Sequence, residues 1–257
     1  MAIPRCLVVT NIALAEFVQH LLRSQYESSL LVICSSKETF VERLLAACTD
    51  SSSSNNDEQP RVDDEADAIP DDHSRSEPHA LLKTLPLLDL AKSRNIKLAF
   101  CPDVMHLRAH LAALAASGPD EAAVEQDTNG KRRLLAILNP IEAHRPTSSF
   151  SAQGLNRTFA LAVEAAHATL RSLLMVEVPF EDSREMNYDD EHSPFEGEDA
   201  RRPPPEDPWD EEVSILNVTT KSFGVGGRGW VGRTVSVRRI AERWCHFSPF
   251  DSGNDEL

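Results

Sequence analysis

The 257-residue sequence contains no apolar run close to the roughly 18 residues that a transmembrane helix needs. Met1–Thr10 is too short and too poorly flanked for a signal peptide. The five cysteines form no CxxC pair, and Cys6, Cys34 and Cys101 lie inside apolar runs where cysteine acts as a small hydrophobe. We therefore expect a soluble, intracellular protein with reduced thiols, no membrane partner and no metal or other cofactor.

The motifs of common hydrolases are also missing. The first apolar run continues directly into TNIALAEF, which has no glycine or lysine where GxxxxGK[ST] would hold phosphates. A second nucleotide-site requirement, a carboxylate that holds the magnesium-bound water, fails because LLAILN ends in Asn139. Thr10, Asn11 and Asn139 are therefore degenerate nucleotide-site positions, and the sequence predicts no catalytic residue.

Two further kinds of site lack support. No GxSxG pattern places a serine nucleophile on a sharp turn. His106 and His110 have the i, i+4 spacing of a helical metal pair, but no HExxH motif or cysteine set accompanies them. An exposed helix face is the favoured interpretation of the two histidines.

Negative charge is abundant but unevenly distributed. The net charge is −15, whereas residues 50–79 carry −8, residues 180–212 carry −11 and residues 251–257 carry −3. The remainder therefore carries +7. A mildly basic folded part is compatible with an acidic partner such as nucleic acid.

The acidic segments set the predicted domain boundaries. Residues 50–79 and 180–212 are polar, contain proline and have almost no apolar periodicity, which predicts two disordered acidic insertions. Residues 251–257 form an acidic tail. The rest, residues 1–49, 80–179 and 213–250, is predicted to form a single α/β domain.

Short apolar runs alternate with helical patterns along that domain. Strands are predicted at Arg5–Thr10, Ser29–Cys34, Ile96–Cys101, Leu134–Asn139 and Leu173–Val178, and helices at Asn11–Ser24, Lys37–Cys48, Leu81–Arg94, Val104–Ala116 and Gln153–Thr169. Asp103 is a plausible N-cap. Continuous apolar strands between helices predict a mostly parallel sheet with helices on both faces.

The C-terminal part has a different pattern. Val213–Thr219 reads as a strand, a glycine-rich loop runs from Gly224 to Gly232, and Thr234–Phe247 shows strand-like alternation. This pattern predicts an antiparallel β-hairpin that extends the edge of the sheet.

The predicted hairpin concentrates basic and aromatic side chains. The set that could contact phosphates and stack on bases comprises Lys221, Arg228, Trp230, Arg233, Arg238, Arg239 and Arg243, with Trp244 nearby. A solvated edge strand whose charges discourage aggregation explains the same residues. Both interpretations stay open at this point.

The segment Gly227–Thr234 also matches GxxxxGK[ST] with arginine in place of lysine. It lies between two strand-like runs instead of between a strand and a helix, so we favour a hairpin turn over a phosphate-binding loop. An NTPase that uses this loop remains an alternative.

The order of these segments resembles the RecA-like recombinase core. The resemblance rests on the first strand and helix, SLLVIC followed by KETFVERLL, the strand LLAILN, the helix with GLNRTFALAVEAA and the closing basic hairpin. It covers most of the chain outside the insertions. Aligned to that family, the turn near Thr10 would hold the Walker A loop and Asn139 would replace the Walker B acid.

The resemblance implies a non-catalytic recombinase paralogue, as in the small subunits of Shu-type complexes. Such a protein would act in homologous recombination and DNA repair in the nucleus, bind another RecA-fold paralogue or complex subunit, and have single-stranded DNA as a second candidate ligand. The alternative is an Elongator-type scaffold subunit connected with tRNA modification, for which a cytoplasmic location is expected.

Overall fold

A computed structural model describes residues 5–50, 87–119, 132–178, 207–215 and 233–250 of the chain. The predicted acidic insertions and tail fall largely outside these ranges. Within them, no helix has the length and apolar character that crossing a membrane requires.

Six strands form one parallel sheet. They are β1 (Cys6–Thr10), β2 (Ser28–Ile33), β3 (Ile96–Phe100), β4 (Arg133–Leu138), β5 (Ser172–Val176) and β8 (His246–Pro249), in the order β3-β2-β4-β5-β1-β8. Every neighbouring pair in this sheet is parallel. The predicted parallel α/β architecture is therefore confirmed.

Helices connect the strands and cover both faces of the sheet. They are α1 (Leu14–Arg23), α2 (Lys37–Asp50), α3 (Leu87–Ser93), α4 (Val104–Ser117), α5 (Ala152–Ala168) and α6 (Val237–Ala241). Asp103 caps α4 as predicted, because its carboxylate accepts hydrogen bonds from the N–H groups of Met105 and His106 at 2.8 and 2.9 Å.

Two apolar layers form the core, one on each face of the sheet. Alternation along β4 sends Leu134, Ala136 and Leu138 to one layer, while Leu135 and Ile137 join the other. The first layer also contains the apolar sides of α1 and α2, and the second contains those of α4 and α5. The sheet is thus buried on both faces, as its continuous apolar strands predicted.

The C-terminal hairpin exists, but it does not extend the main sheet. β6 (Glu212–Ser214) and β7 (Thr234–Ser236) pair antiparallel as a separate two-stranded sheet. The strand predicted over Thr234–Phe247 is wrong beyond Ser236, where α6 begins. Its buried residues Val237, Ile240 and Ala241 follow helical spacing, and β8 then joins the edge of the main sheet beside β1 in parallel.

The second insertion ends earlier than predicted. Residues 207–212, which the charge pattern assigned to it, include a 3-10 helix at Pro208–Asp210 and the start of β6. Trp209 is fully buried in the core, with its ring centroid 6.1 Å from Phe159 and 5.4 Å from Phe247. The acidic residues at the end of the segment therefore flank a tryptophan that packs in the core.

Candidate functional site

The carboxyl edge of the sheet is where a ligand site is expected in an open α/β fold, because helices leave neighbouring strands toward opposite faces there. The turn between β1 and α1 lies at this edge. Asn11 adopts a left-handed backbone with φ of 59°, and the carbonyl of Thr10 accepts a hydrogen bond from the Phe250 N–H at 3.0 Å. The residue that precedes the turn is therefore hydrogen-bonded to the residue that follows β8.

The start of α1 also lacks the electrostatics of a phosphate site. The Glu16 carboxylate accepts a hydrogen bond from the Ala13 N–H at 3.3 Å, so a negative charge lies where a phosphate would need free N–H groups. Ile12 and Leu14 are buried beside it. A phosphate at this turn would therefore meet the Glu16 carboxylate and buried apolar side chains.

Asn139 follows β4 and holds the neighbouring strand. Its Oδ1 accepts a hydrogen bond from the Val178 N–H at 2.9 Å, and its backbone N–H donates to the Val176 carbonyl at 2.8 Å. Asn139 also has a φ of 59°, which asparagine tolerates better than most residues. Its amide is therefore used to join β4 to the end of β5.

Glu177, between those two partners, is a buried carboxylate that sequence reasoning missed. Its two oxygens accept hydrogen bonds from the backbone N–H groups of Ile141 and Glu142 at 3.0 and 2.8 Å. Burial raises the pKa of Glu177 to about 8, although the two N–H donors act in the opposite direction. The sequence signal that could have revealed Glu177 is an acidic residue within the apolar run LLMVEV.

A buried histidine, His144, links the loop after β4 to α5 through hydrogen bonds. His144 Nδ1 lies 2.8 Å from the Pro140 carbonyl, which can only accept, so Nδ1 carries the proton. Nε2 then accepts from the Thr158 hydroxyl at 3.0 Å, and Arg108 Nε donates to the same hydroxyl at 2.9 Å. Burial lowers the pKa of His144 to about 4, which keeps the ring neutral.

A small cavity opens at the same edge. It is lined by Leu14, Ile33, Cys34, Ser35, Phe40, Arg43, Leu138 and Asn139. The enclosed space is about that of one water molecule, so a nucleotide does not fit in it.

The structure describes four members of the predicted nucleic-acid set, of which three have exposed side chains and the fourth, Arg238, is ion-paired. Arg233, Arg239 and Arg243 have exposed side chains near β7 and α6. Lys221, Arg228 and Trp230 lie outside the described residues. Trp244 is half-buried and its indole N–H donates to Asn156 Oδ1 at 3.0 Å, so its ring is fixed against α5.

Arg238, the fourth described member of the set, is held in ion pairs within the protein. Its guanidinium forms ion pairs with Asp210 at 2.6 Å and Asp207 at 2.8 Å. The same group lies 4.7 Å from the centroid of the Phe247 ring. Arg238 therefore fastens the 3-10 helix to α6 and β8 instead of presenting a free charge.

The two histidines of α4 have different surroundings. His106 Nδ1 lies 2.7 Å from Asp103 Oδ2, and the Nε2 atom of His110 is buried without a hydrogen-bond partner among the described residues. Within the ranges that the structure describes, no cluster of three or more metal-ligating side chains occurs.

Large apolar side chains are exposed on two helices and on one edge strand. They are Val41 and Leu45 of α2, Leu87, Leu88 and Leu90 of α3, and Leu98 of the edge strand β3, each at least 43% exposed. In α3 the pattern is inverted, because Asp89 is buried while its leucine neighbours face outward. Such a set is typical of a surface that another molecule covers.

Comparison with known proteins identifies no similar family or protein. No protein-family model matches the chain, and no curated protein matches it.

Proposed function

We propose that this chain is a non-catalytic, RecA-like subunit that works by binding another protein. The exposed apolar residues of α2, α3 and β3 carry this proposal, because burying them against a partner would remove a large apolar area from water. The parallel six-stranded sheet is compatible with a RecA-like core. The Glu16 carboxylate at the start of α1 and the structural use of Asn139 support a role without nucleotide hydrolysis.

Homologous recombination is the proposed setting, with another RecA-fold paralogue as the partner. Single-stranded DNA is the second ligand that we propose, and exposed Arg233, Arg239 and Arg243 are its candidate contacts. An Elongator-type scaffold in tRNA modification is the alternative, since it would use the same fold and the same kind of apolar surface.

An NTPase that uses Gly227–Thr234 has less support. Thr234, which would follow the loop cation and begin a helix, is instead the first residue of β7. Its hydroxyl donates to the Glu212 carboxylate at 2.8 Å. Calorimetric titration with Mg²⁺ and ATP tests this alternative, and binding that Arg233→Ala abolishes would favour it over our proposal.

Partner capture from source cells tests the main proposal. The tagged wild-type chain is expected to retain a RecA-fold paralogue that the double variant Leu88→Lys, Leu90→Lys loses. Met105→Lys is the matched control, because Met105 is exposed on α4 and outside the apolar set. Capture of tRNA-modification subunits would favour the Elongator alternative, and a partner retained equally by all three proteins would contradict the surface.

Fluorescence anisotropy with labelled single-stranded DNA tests the second ligand. Affinity should fall steeply between about 50 and 200 mM salt if phosphate contacts dominate. The triple variant Arg233→Ala, Arg239→Ala, Arg243→Ala should lose most of the binding. No binding by the wild-type chain at low salt would leave protein binding as the whole function.

A further inference from the structure

Two cysteines from opposite ends of the sequence meet at the edge of the main sheet. Cys6 is the first residue of β1, and Cys245 directly precedes β8. Leu7 pairs with His246 in the parallel register, so one step back along both strands sets Cys6 beside Cys245. Residues that face each other on neighbouring strands have Cα atoms about 5 Å apart, which is inside the range that a disulfide spans.

The two side chains pack in the same apolar layer and differ in character. Their mutual hydrogen bonding lowers the pKa of the Cys6 thiol and raises that of Cys245. Cys6 is half-buried, whereas Cys245 is 3% exposed. Cys6 is therefore both the more acidic and the more accessible thiol, as the attacking group in thiol–disulfide exchange should be.

We propose that Cys6 and Cys245 form a reversible disulfide when the chain meets a low-molecular-weight disulfide of the glutathione class. The Cys6 thiolate attacks one sulfur of the small disulfide, forms a mixed disulfide and releases one small thiol. The Cys245 thiolate then attacks the Cys6 sulfur and releases the second small thiol. In sum, two protein thiols are oxidised, one small disulfide is reduced to two thiols, and the two protein protons pass to those thiols.

The bond would connect the first strand to the C-terminal segment. Cys245 lies between α6, which carries Arg238 and Arg239, and the edge strand β8. Cross-linking residues so far apart in sequence strongly restricts the unfolded chain. Oxidation would therefore hold β8 and α6 against β1.

A second cysteine pair provides an internal comparison. Ile33 pairs with Phe100, so Cys34 and Cys101 are also register neighbours just beyond β2 and β3. Both are buried, at 5% and 3% exposure, and burial raises the pKa of each thiol. We expect this pair to stay reduced in the folded protein, because neither thiol is accessible as a thiolate.

Thiol counting and peptide mapping of the native, full-length protein after exposure to oxidised glutathione test the proposal. The wild-type chain should lose two of its five free thiols, yield a linked Cys6–Cys245 peptide pair and recover all five thiols with dithiothreitol. The oxidised form should melt several degrees higher than the reduced form. The double variant Cys34→Ser, Cys101→Ser should form the same bond.

Single variants separate the two steps. Cys245→Ala should trap one glutathione on Cys6, whereas Cys6→Ser should take up none and keep its four remaining thiols. The alanine variant is chosen because buried Cys245 packs as a small hydrophobe. A wild-type chain that keeps five thiols, or a Cys6→Ser chain that still takes up glutathione on Cys245, would overturn the proposal.

Discussion

At the scale of single residues, Asn139 shows how backbone geometry and side-chain bonding can select the same amino acid. Its φ of 59° disfavours residues with a bulky Cβ, and its Oδ1 satisfies the Val178 N–H. Glycine would satisfy the first requirement and alanine neither. The position therefore separates strain from hydrogen bonding experimentally.

Asn139→Ala should destabilise the protein by roughly 1 kcal/mol more than Asn139→Gly, because only alanine adds strain in the left-handed region. Both variants should lose about 1–3 kcal/mol from the unsatisfied Val178 N–H. Urea denaturation of the three proteins measures the difference. Equal losses would show that the loop relaxes out of its left-handed backbone.

His144 should make the protein sensitive to acid. Its pKa is about 4 in the folded chain against an ordinary value of 6.5, so between these limits the unfolded state binds a proton that the folded state excludes. The free energy of unfolding therefore falls as the pH falls through this window. At about 1.36 kcal/mol per tenfold change in proton affinity, the interval corresponds to about 3 kcal/mol.

Denaturation of wild type and His144→Gln at several pH values between 4 and 7 checks this expectation. The variant starts less stable, since it cannot satisfy both Pro140 and Thr158, but its stability should change less over this range. A variant curve parallel to that of the wild type would assign the acid sensitivity to other groups.

Glu177 should make the free energy of unfolding change with pH in the opposite direction to His144. Its pKa rises from 4.5 to about 8 on folding, so the folded chain keeps a proton that the unfolded chain releases within this interval. Stability should therefore decrease as the pH rises from 4.5 to about 8. Below 6.5 this change opposes that of His144, and above 6.5 it acts alone.

Glu177→Gln should lower stability near pH 5, because an amide nitrogen cannot accept the second backbone N–H bond. It should also remove the decline toward pH 8. Glu142→Gln is the matched control in the same loop, and it should keep the decline. A decline that persists unchanged in Glu177→Gln would assign the loss of stability toward pH 8 to other groups.

At the scale of elements, the strands were predictable and the C-terminal helix was not. The five apolar strand predictions agree with β1 to β5 within two residues at each end, because apolar runs bounded by polar residues have clear limits. Val235 and Val237 alternate as in a strand, yet Ser236 caps α6 by accepting from the Arg239 N–H. Five helical residues are too few for periodicity to reveal.

The candidate site was predictable mainly by what it lacks. The missing glycines and lysine after β1 could be read directly, whereas the Glu177 and His144 bonds depend on residues far apart in sequence. Charge counting placed Arg238 among solvent-facing cations. Its pairing with Asp207 and Asp210 depends on Trp209, which docks the acidic segment onto the core.

Arg238→Ala should destabilise the hairpin region by about 1–2 kcal/mol, since it removes two ion pairs and the contact with Phe247. Exposed Arg239→Ala should change stability by less than about 0.5 kcal/mol. Thermal denaturation of both variants measures this contrast. If the two were equally stable, the ion pairs of Arg238 would contribute nothing.

At the scale of the whole molecule, the exposed apolar set and the exposed arginines of the predicted nucleic-acid set lie on different elements, and we call the position of these arginines the basic side. Exposed apolar residues gather on α2, α3 and β3, whereas exposed Arg233, Arg239 and Arg243 lie by the C-terminal elements. β3 and β8 are the two edges of the six-stranded sheet. A protein partner on one side would therefore leave the basic side accessible to DNA. Strand order, which creates this separation, depends on connections that apolar patterns alone do not specify.

The acidic segments should weaken DNA binding at the basic side. Residues 180–206 carry a net charge of −7, and the same chain carries exposed arginines near α6. Replacing 180–206 with a short glycine–serine linker should therefore increase affinity for single-stranded DNA at low salt, with less effect at high salt where screening is strong. Anisotropy titrations against the wild type measure the change.

Extending that replacement to residue 212 should have a different effect, because it removes Trp209 and the two aspartates that pair with Arg238. Loss of a fully buried tryptophan alone costs about 3–5 kcal/mol, so this longer replacement should destabilise the fold. Calorimetry separates the two variants before any DNA titration. If both are equally stable, residues 207–212 are not needed to hold the core; if the shorter one binds DNA no better than wild type, the acidic segment does not compete with DNA for the basic side.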